Sequence, residues 1–155
     1  MYIFDGAMGT MLQAAGLEEG YCPELFNIER PEVVKDIHAQ YLQHDSDVIT
    51  TNTFGACGLK LEDYDLQDRV REINIAAVKV AKEAIAENKP TARVAGSMGP
   101  TGRFLQPLGN MSFDSIYDTY REQAEALIEG GVDFIIIETI IDVQEMRAAL
   151  LASLD

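Results

Sequence analysis

An α/β fold built on a parallel sheet is predicted by three features of the 155-residue sequence. One plan of short apolar strand, loop and amphipathic helix is repeated four times, which implies strands joined by helical crossovers. The most apolar segment, Phe134-Ile135-Ile136-Ile137, has no alternation, as suits a strand covered on both faces. Each strand also runs straight into a polar or glycine-bearing cluster. Four such units amount to half of an eight-fold barrel, or to a small open sheet.

Tyr2-Ile3-Phe4 is the first predicted strand, and a short helix from Met8 stops at Gly16, a natural residue for the left-handed turn after a helix. Leu17 to Arg30 has mixed polarity and reads as a loop. A second helix starts at Pro31, whose fixed φ suits a first helical position, and carries Val33, Ile37 and Tyr41 on one face. Val48-Ile49-Thr50-Thr51 is the second strand. A long helix is expected from about Leu66 to Asn88, with Leu66, Val70, Ile73, Ala77, Val80 and Ala84 in helical period and Asp65 as its cap.

Arg93-Val94-Ala95-Gly96-Ser97 forms the third strand, followed by a glycine- and proline-rich loop over Met98 to Met111. Ser112 caps the next helix, which carries Ile116, Tyr120, Ala124 and Leu127 and ends at Gly130-Gly131. After the fourth strand, Phe134 to Ile137, Asp142 and Glu145 make a capping-box-like start to a last helix.

A formal charge of -14 excludes a nucleic-acid partner, because phosphates would be repelled. No apolar run approaches the roughly 20 residues that a membrane span needs, and no secretion signal is read at the N-terminus. Cys22 and Cys57, 35 positions apart, form no metal-ligand pattern, so reduced thiols in a cytoplasmic protein are expected. His38 and His44 fall inside and near the end of the second helix, and a structural or surface role is expected of both. Met8, Met11, Met98 and Met111 read as gap-filling core.

The polar clusters lie where each strand hands over to its helix: Asp5-Gly6, Thr50-Thr51-Asn52-Thr53, Ser97 to Gly102, and Glu138-Thr139. In barrels and open α/β sheets alike, that rim is where chemistry is built. Asp5 and Glu138 follow apolar strands directly. As a pair they could hold an ammonium group, or each could accept N–H bonds from nearby turns. Gly6 and Gly9 leave the first loop open enough for backbone amides to reach a ligand carboxylate. Asn52 and Thr53 could orient a polar ligand or tie neighbouring loops together. No GxGxxG fingerprint supports a nucleotide.

Read together, Asp5-Gly6-Ala7-Met8-Gly9-Thr10-Met11-Leu12-Gln13, Ile49-Thr50-Thr51-Asn52-Thr53-Phe54-Gly55-Ala56, Gly96 to Gly102 and Ile137-Glu138-Thr139 resemble the four rim motifs of the homocysteine S-methyltransferase family. The likeness is to the homocysteine-binding domain of the cobalamin-dependent methionine synthases, and it covers essentially the whole chain. Ala7 favours that branch over betaine-dependent relatives, which tend to have a second glycine there. The resemblance implies a single partial domain over residues 1–155, the first half of a (β/α)8 TIM-type barrel. Asp5 and Glu138 would hold the ammonium of homocysteine, the Gly6, Ala7, Met8 and Gly9 amides its carboxylate, and Asn52, Ser97 and Thr139 would complete the substrate site.

Zinc and cobalamin are implied for the complete enzyme and neither for this chain. The family's three zinc-binding cysteines belong to later strands, and neither Cys22 nor Cys57 corresponds to one. The expected partners are homocysteine, the remaining half of the barrel, cobalamin and folate domains, and, for a half barrel with unpaired edges, a second copy in a homodimer. The chain alone is expected to be inactive. His44-Asp45-Ser46 departs from the family, whose corresponding turn reads as small residues with glycine.

Overall fold

The computed structural model describes residues 1–155. Seven helices, α1 (Gly9–Ala14), α2 (Phe26–Glu29), α3 (Pro31–Gln43), α4 (Gly58–Leu61), α5 (Val70–Asn88), α6 (Phe113–Gly130) and α7 (Val143–Leu154), accompany three strands. The strands β1 (Val48–Thr50), β2 (Arg93–Met98) and β3 (Phe134–Ile137) form one parallel sheet in that order. β2 gives its first half to β1, from Arg93 opposite Val48, and its second half to β3, from Ala95 opposite Phe134. Such an offset tilts the strands as a curling sheet requires.

The expected first strand is reduced to a single parallel bridge from Phe4 to Val48. The Val48 amide donates to Ile3 O at 3.1 Å and the Asp5 amide to Val48 O at 2.9 Å, so the segment runs along β1 without building a ladder. It lies at the sheet edge with Tyr2, Ile3 and Phe4 all exposed, and one neighbour supplies too few bonds to fix a longer strand. Three strands and an edge segment therefore stand where four full strands were expected. Phe4 and Phe134 are separated by two intervening strands, yet their rings meet edge-to-face at 6.1 Å. A flat sheet would hold those backbones about 14 Å apart, so the face they share is concave.

Helices cover only the other face, side by side in chain order: α3 on α5, α5 on α6, α6 on α7. This corrects the expectation for Phe134 to Ile137, each of which is half-buried, because β3 is an edge strand with one face uncovered. The largest core cluster joins Met98 of β2 to Ile116, Tyr120 and Leu127 of α6 and Ala148, Ala149 and Ala152 of α7.

Local signals set most helix ends. The Ser112 hydroxyl accepts the Ser115 amide at 3.1 Å, Gly131 closes α6 in the left-handed conformation, and Asp142 accepts the Gln144 and Glu145 amides. Asp65 is not the cap of α5. Its φ of 58° is left-handed and its amide closes the preceding turn on Glu62, so a short 3-10 turn over Gln67–Arg69 precedes a helix that begins at Val70. The predicted loop from Leu17 to Arg30 contains a 3-10 turn at Pro23–Leu25 and the helix α2, because Leu25 and Phe26 are buried among core clusters.

His38 is fully buried, both ring nitrogens lack a partner, and burial lowers its pKa to about 4, which leaves it neutral. Cys22 and Cys57 are buried and free. At the departing turn, Asp45 adopts φ of 70°, a conformation that glycine accepts without cost. The Lys89 ammonium bonds the Asp45 and Ser46 carbonyls rather than the Asp45 side chain. Asp45→Gly is therefore expected to raise stability by about 0.5–1 kcal/mol in urea titration, and an unchanged or lower midpoint would count against strain at this turn.

Candidate functional site

At the C-terminal ends of the strands the first three rim loops and Glu138 enclose a cleft of about 260 Å³, lined by Gly6, Ala7, Met8, Gly9, Thr50, Thr51, Asn52, Phe54, Ser97 and Glu138. Asp5 is not in the lining but adjoins it through Gly6 and Thr50. Its carboxylate accepts the Thr50 amide at 2.8 Å and the Thr50 hydroxyl at 3.1 Å, so the edge segment and β1 are joined through this side chain. Burial raises its pKa to about 6 against the lowering effect of the Thr50 bonds, and the negative charge of Glu138 adds to the rise. The two carboxylates thus lie near enough to feel each other's charge.

Glu138 is placed by its amide, which donates to Met98 O at 3.0 Å, and by the Ser97 hydroxyl, which donates to its Oε1 at 2.6 Å. Its Oε2 makes no hydrogen bond within the protein. Across the cleft, the amides of Gly6, Ala7, Met8 and Gly9 find no acceptor in the chain. Tyr41 of α3 supports that loop from below, donating to Ala7 O at 2.8 Å. A Cβ on Gly6 would lie 3.0 Å from the Tyr41 hydroxyl, which explains the glycine by close approach.

The loop after β1 is anchored by a closed ring of donors. The Ser97 amide donates to Thr51 Oγ1 at 3.1 Å and the Thr53 hydroxyl donates to Ser97 O at 2.7 Å. Each hydroxyl has one proton, so the 2.6 Å contact between them is Thr51 donating to Thr53. Asn52 borders the cleft, but its Nδ2 donates to Pro23 O and its carbonyl accepts Asn27 Nδ2, so it ties loops together. Thr139, expected in the site, is exposed at φ of 62° and lies outside the cleft lining, because the left-handed turn carries it away from Glu138.

The supports are not legible in the sequence: Tyr41 falls on the apolar face of its helix, and nothing marks the burial of Glu24 and Glu145. Glu145 is no capping-box partner. Its Oε1 accepts the Thr101 amide and hydroxyl and the Tyr120 hydroxyl instead. No signal in the sequence marks this role, since its partners lie 44 and 25 positions away.

No three His, Cys, Asp or Glu side chains gather as a metal would require. Neither thiol lines the cleft, and burial pushes Cys22 up to about 12 and Cys57 to about 11, so neither supplies a thiolate. A zinc ion finds no fitting donor set among these residues. No helix is long and apolar enough to cross a membrane.

A parallel sheet with Glu138 and the free Gly6–Gly9 amides lining a small polar cleft at its C-terminal rim defines an α/β protein of the kind that carries its site on the strand ends. The sequence profile of the homocysteine S-methyltransferase family matches residues 2–155, and the chain belongs to that family. It is 40% identical to methionine synthase from Mycobacterium tuberculosis (strain ATCC 25618 / H37Rv) and 38% identical to methionine synthase from Mycobacterium leprae (strain TN), in each case over 96% of its own length. The chain spans 13% of the length of these two relatives. The metallated homocysteine methyltransferase MmuM from Escherichia coli superposes with a TM-score of 0.81 at 26% identity, over 97% of this chain and 59% of that one. Its oxidized form gives 0.80 at 25% identity, over 98% and 58%.

Proposed function

We propose that the cleft grips the amino-acid end of homocysteine, as the substrate-holding part of a methyltransferase of the methionine-synthase type that forms methionine. The carrying observation is the polarity of the site. Glu138 in the cleft lining and Asp5 next to it offer negative charge, and four unpaired amides from Gly6 to Gly9 offer N–H groups. That pattern complements the ammonium and carboxylate of a zwitterionic α-amino acid. Ser97 orients Glu138, Asn52 shapes the wall, and Thr139 turns the chain away behind them.

The sheet is the first half of a (β/α)8 barrel, a reading supported by the staggered register and the Phe4–Phe134 contact across the concave face. Thiol activation by zinc and methyl donation by cobalamin belong to other parts of the complete enzyme, so this chain alone transfers no methyl group. The remaining barrel half and the cobalamin and folate domains are its partners there.

Ammonium binding needs Asp5 ionised, and a pKa of about 6 leaves it largely protonated at pH 5. Homocysteine affinity measured by calorimetry is therefore expected to be about tenfold weaker at pH 5 than at pH 7.5. Equal or tighter binding at pH 5 would remove Asp5 from this role.

The exposed edge segment Tyr2 to Phe4 and the half-buried edge strand β3 support a second reading, in which two copies pair these edges, the pairing extends each edge segment to a fourth strand, and eight strands close as a homodimer. Light scattering separates the two, since a monomer at micromolar concentration eliminates the dimer.

A further inference from the structure

We infer that Glu145 is a positioning residue, which fastens the loop after β2 and through it the Phe54 wall of the cleft; the ligand consequence rests on the amino-acid site proposed above. Glu145 is 4% exposed, and none of the protein's ion pairs includes it. Burying a carboxylate without a cation is costly, and hydrogen bonds must replace its hydration. The helix does not require it, because Asp142 already accepts the Gln144 and Glu145 amides. A surface glutamate would serve α7 equally well. Here the side chain turns inward.

All its bonds converge on one atom. Oε1 accepts the Thr101 amide at 2.8 Å and the Thr101 hydroxyl at 2.7 Å, and the Tyr120 hydroxyl lies 3.0 Å away. Thr101 and Tyr120 are fully buried. The single Tyr120 proton serves either Oε1 or Gly99 O, also at 3.0 Å, so the tyrosine braces the same loop in both arrangements. Gly99 then donates to Phe54 O at 3.0 Å, and a Cβ there would stand 2.7 Å from the Phe54 ring and carbonyl. Phe54 lines the cleft.

The opposite flank is built alike. Glu24, 6% exposed and also outside every ion pair, accepts the Gly55 amide through Oε1 at 2.7 Å. Two buried, cation-free carboxylates thus hold the Phe54-Gly55 corner from either side. Because Glu145 sits just beyond the loop that carries Glu138, its latch couples the third and fourth rim loops.

The test compares Glu145→Leu with Glu145→Gln by homocysteine calorimetry at pH 7.5, far below the thermal transition of each variant. Glu145→Leu removes the acceptor and is expected to weaken binding about tenfold or more, as loss of an orienting partner does. Glu145→Gln keeps a carbonyl oxygen for the same donors and is expected to stay within about threefold of the parent. A merely structural role would lower the melting temperature of the Leu variant without this rescue pattern. Parent-like binding by a folded Glu145→Leu, or equal weakening in both, overturns the proposal.

Should Glu145→Leu fail to fold, Thr101→Val removes one donor and is expected to weaken binding about fivefold; unchanged affinity there overturns it. If the parent chain binds no homocysteine, the amino-acid reading fails separately. The latch is then read from amide exchange at position 101, slow in the parent and in Glu145→Gln and faster in Glu145→Leu, or in Glu145→Ala should the leucine variant not fold. Equal rates in all three overturn it.

Discussion

Asp5→Asn combined with Glu138→Gln is expected to weaken homocysteine binding at pH 7.5 by up to about 100-fold, the sum of roughly 1.4 kcal/mol at each carboxylate. Both replacements keep size and hydrogen-bonding capacity while removing the charge that faces the ammonium. An asparagine can still accept the Thr50 amide through Oδ1 and donate to the Thr50 hydroxyl, so the junction between the edge segment and β1 survives. The two effects fall short of additive to the extent that both groups hold one ammonium.

Stability should not suffer in parallel. The Asp5 pKa of about 6 in the folded chain lies above the ordinary carboxylate value. Its contribution to stability is therefore present at low pH and lost as pH rises through about 6. Asparagine is fixed in the neutral form, so the variant is expected to match or exceed the parent in urea at pH 7.5. Calorimetry that finds parent-like affinity in the folded double variant would falsify the assignment of both residues.

Leu127→Ala carries the largest expected stability loss. Leu127 is fully buried in α6, and a Cβ on Gly96 of β2 would stand 3.0 Å from its Cδ1, so this side chain fills the space that the glycine leaves. Truncation opens a cavity where α6 lies on the sheet, in a cluster that also holds Met98, Ile116 and Tyr120. A loss of about 3 kcal/mol is expected, with a fall in melting temperature of about 6–12 °C. A shift of less than 2 °C (on the order of a surface substitution) would show that the cluster is not the core that joins helix to strand.

Legibility followed the range of the interaction. Pro31, Ser112, Gly131 and Asp142 mark helix ends through bonds or backbone angles within a few residues, and each was readable from its neighbours. β3 was readable as a strand but not as half-exposed, because coverage depends on what packs above it. Asp65 looked like a cap by type and spacing, while the tertiary burial of Leu61 and Val70 set the chain into a left-handed turn between them.

The same divide runs through the site. Asp5, Gly6, Gly9 and Glu138 stand beside apolar strands, where position alone draws attention to them. Tyr41, Glu24 and Glu145 act on loops 31 to 44 positions away, and nothing local distinguishes them from ordinary helix residues. Asn52 has the chemistry of a ligand contact but spends its Nδ2 on Pro23, a pairing that only the folded chain reveals.

The central claim is that this chain holds the ammonium and carboxylate of homocysteine and not its thiol. Calorimetry with three ligands tests it directly: L-homocysteine, L-2-aminobutyrate, which lacks the thiol, and 4-mercaptobutyrate, which lacks the amine. The account predicts that aminobutyrate binds within about threefold of homocysteine, since no thiolate-activating group lines the cleft, and that mercaptobutyrate binds at least about tenfold more weakly. Mercaptobutyrate binding as tightly as homocysteine, with aminobutyrate rejected, would contradict it.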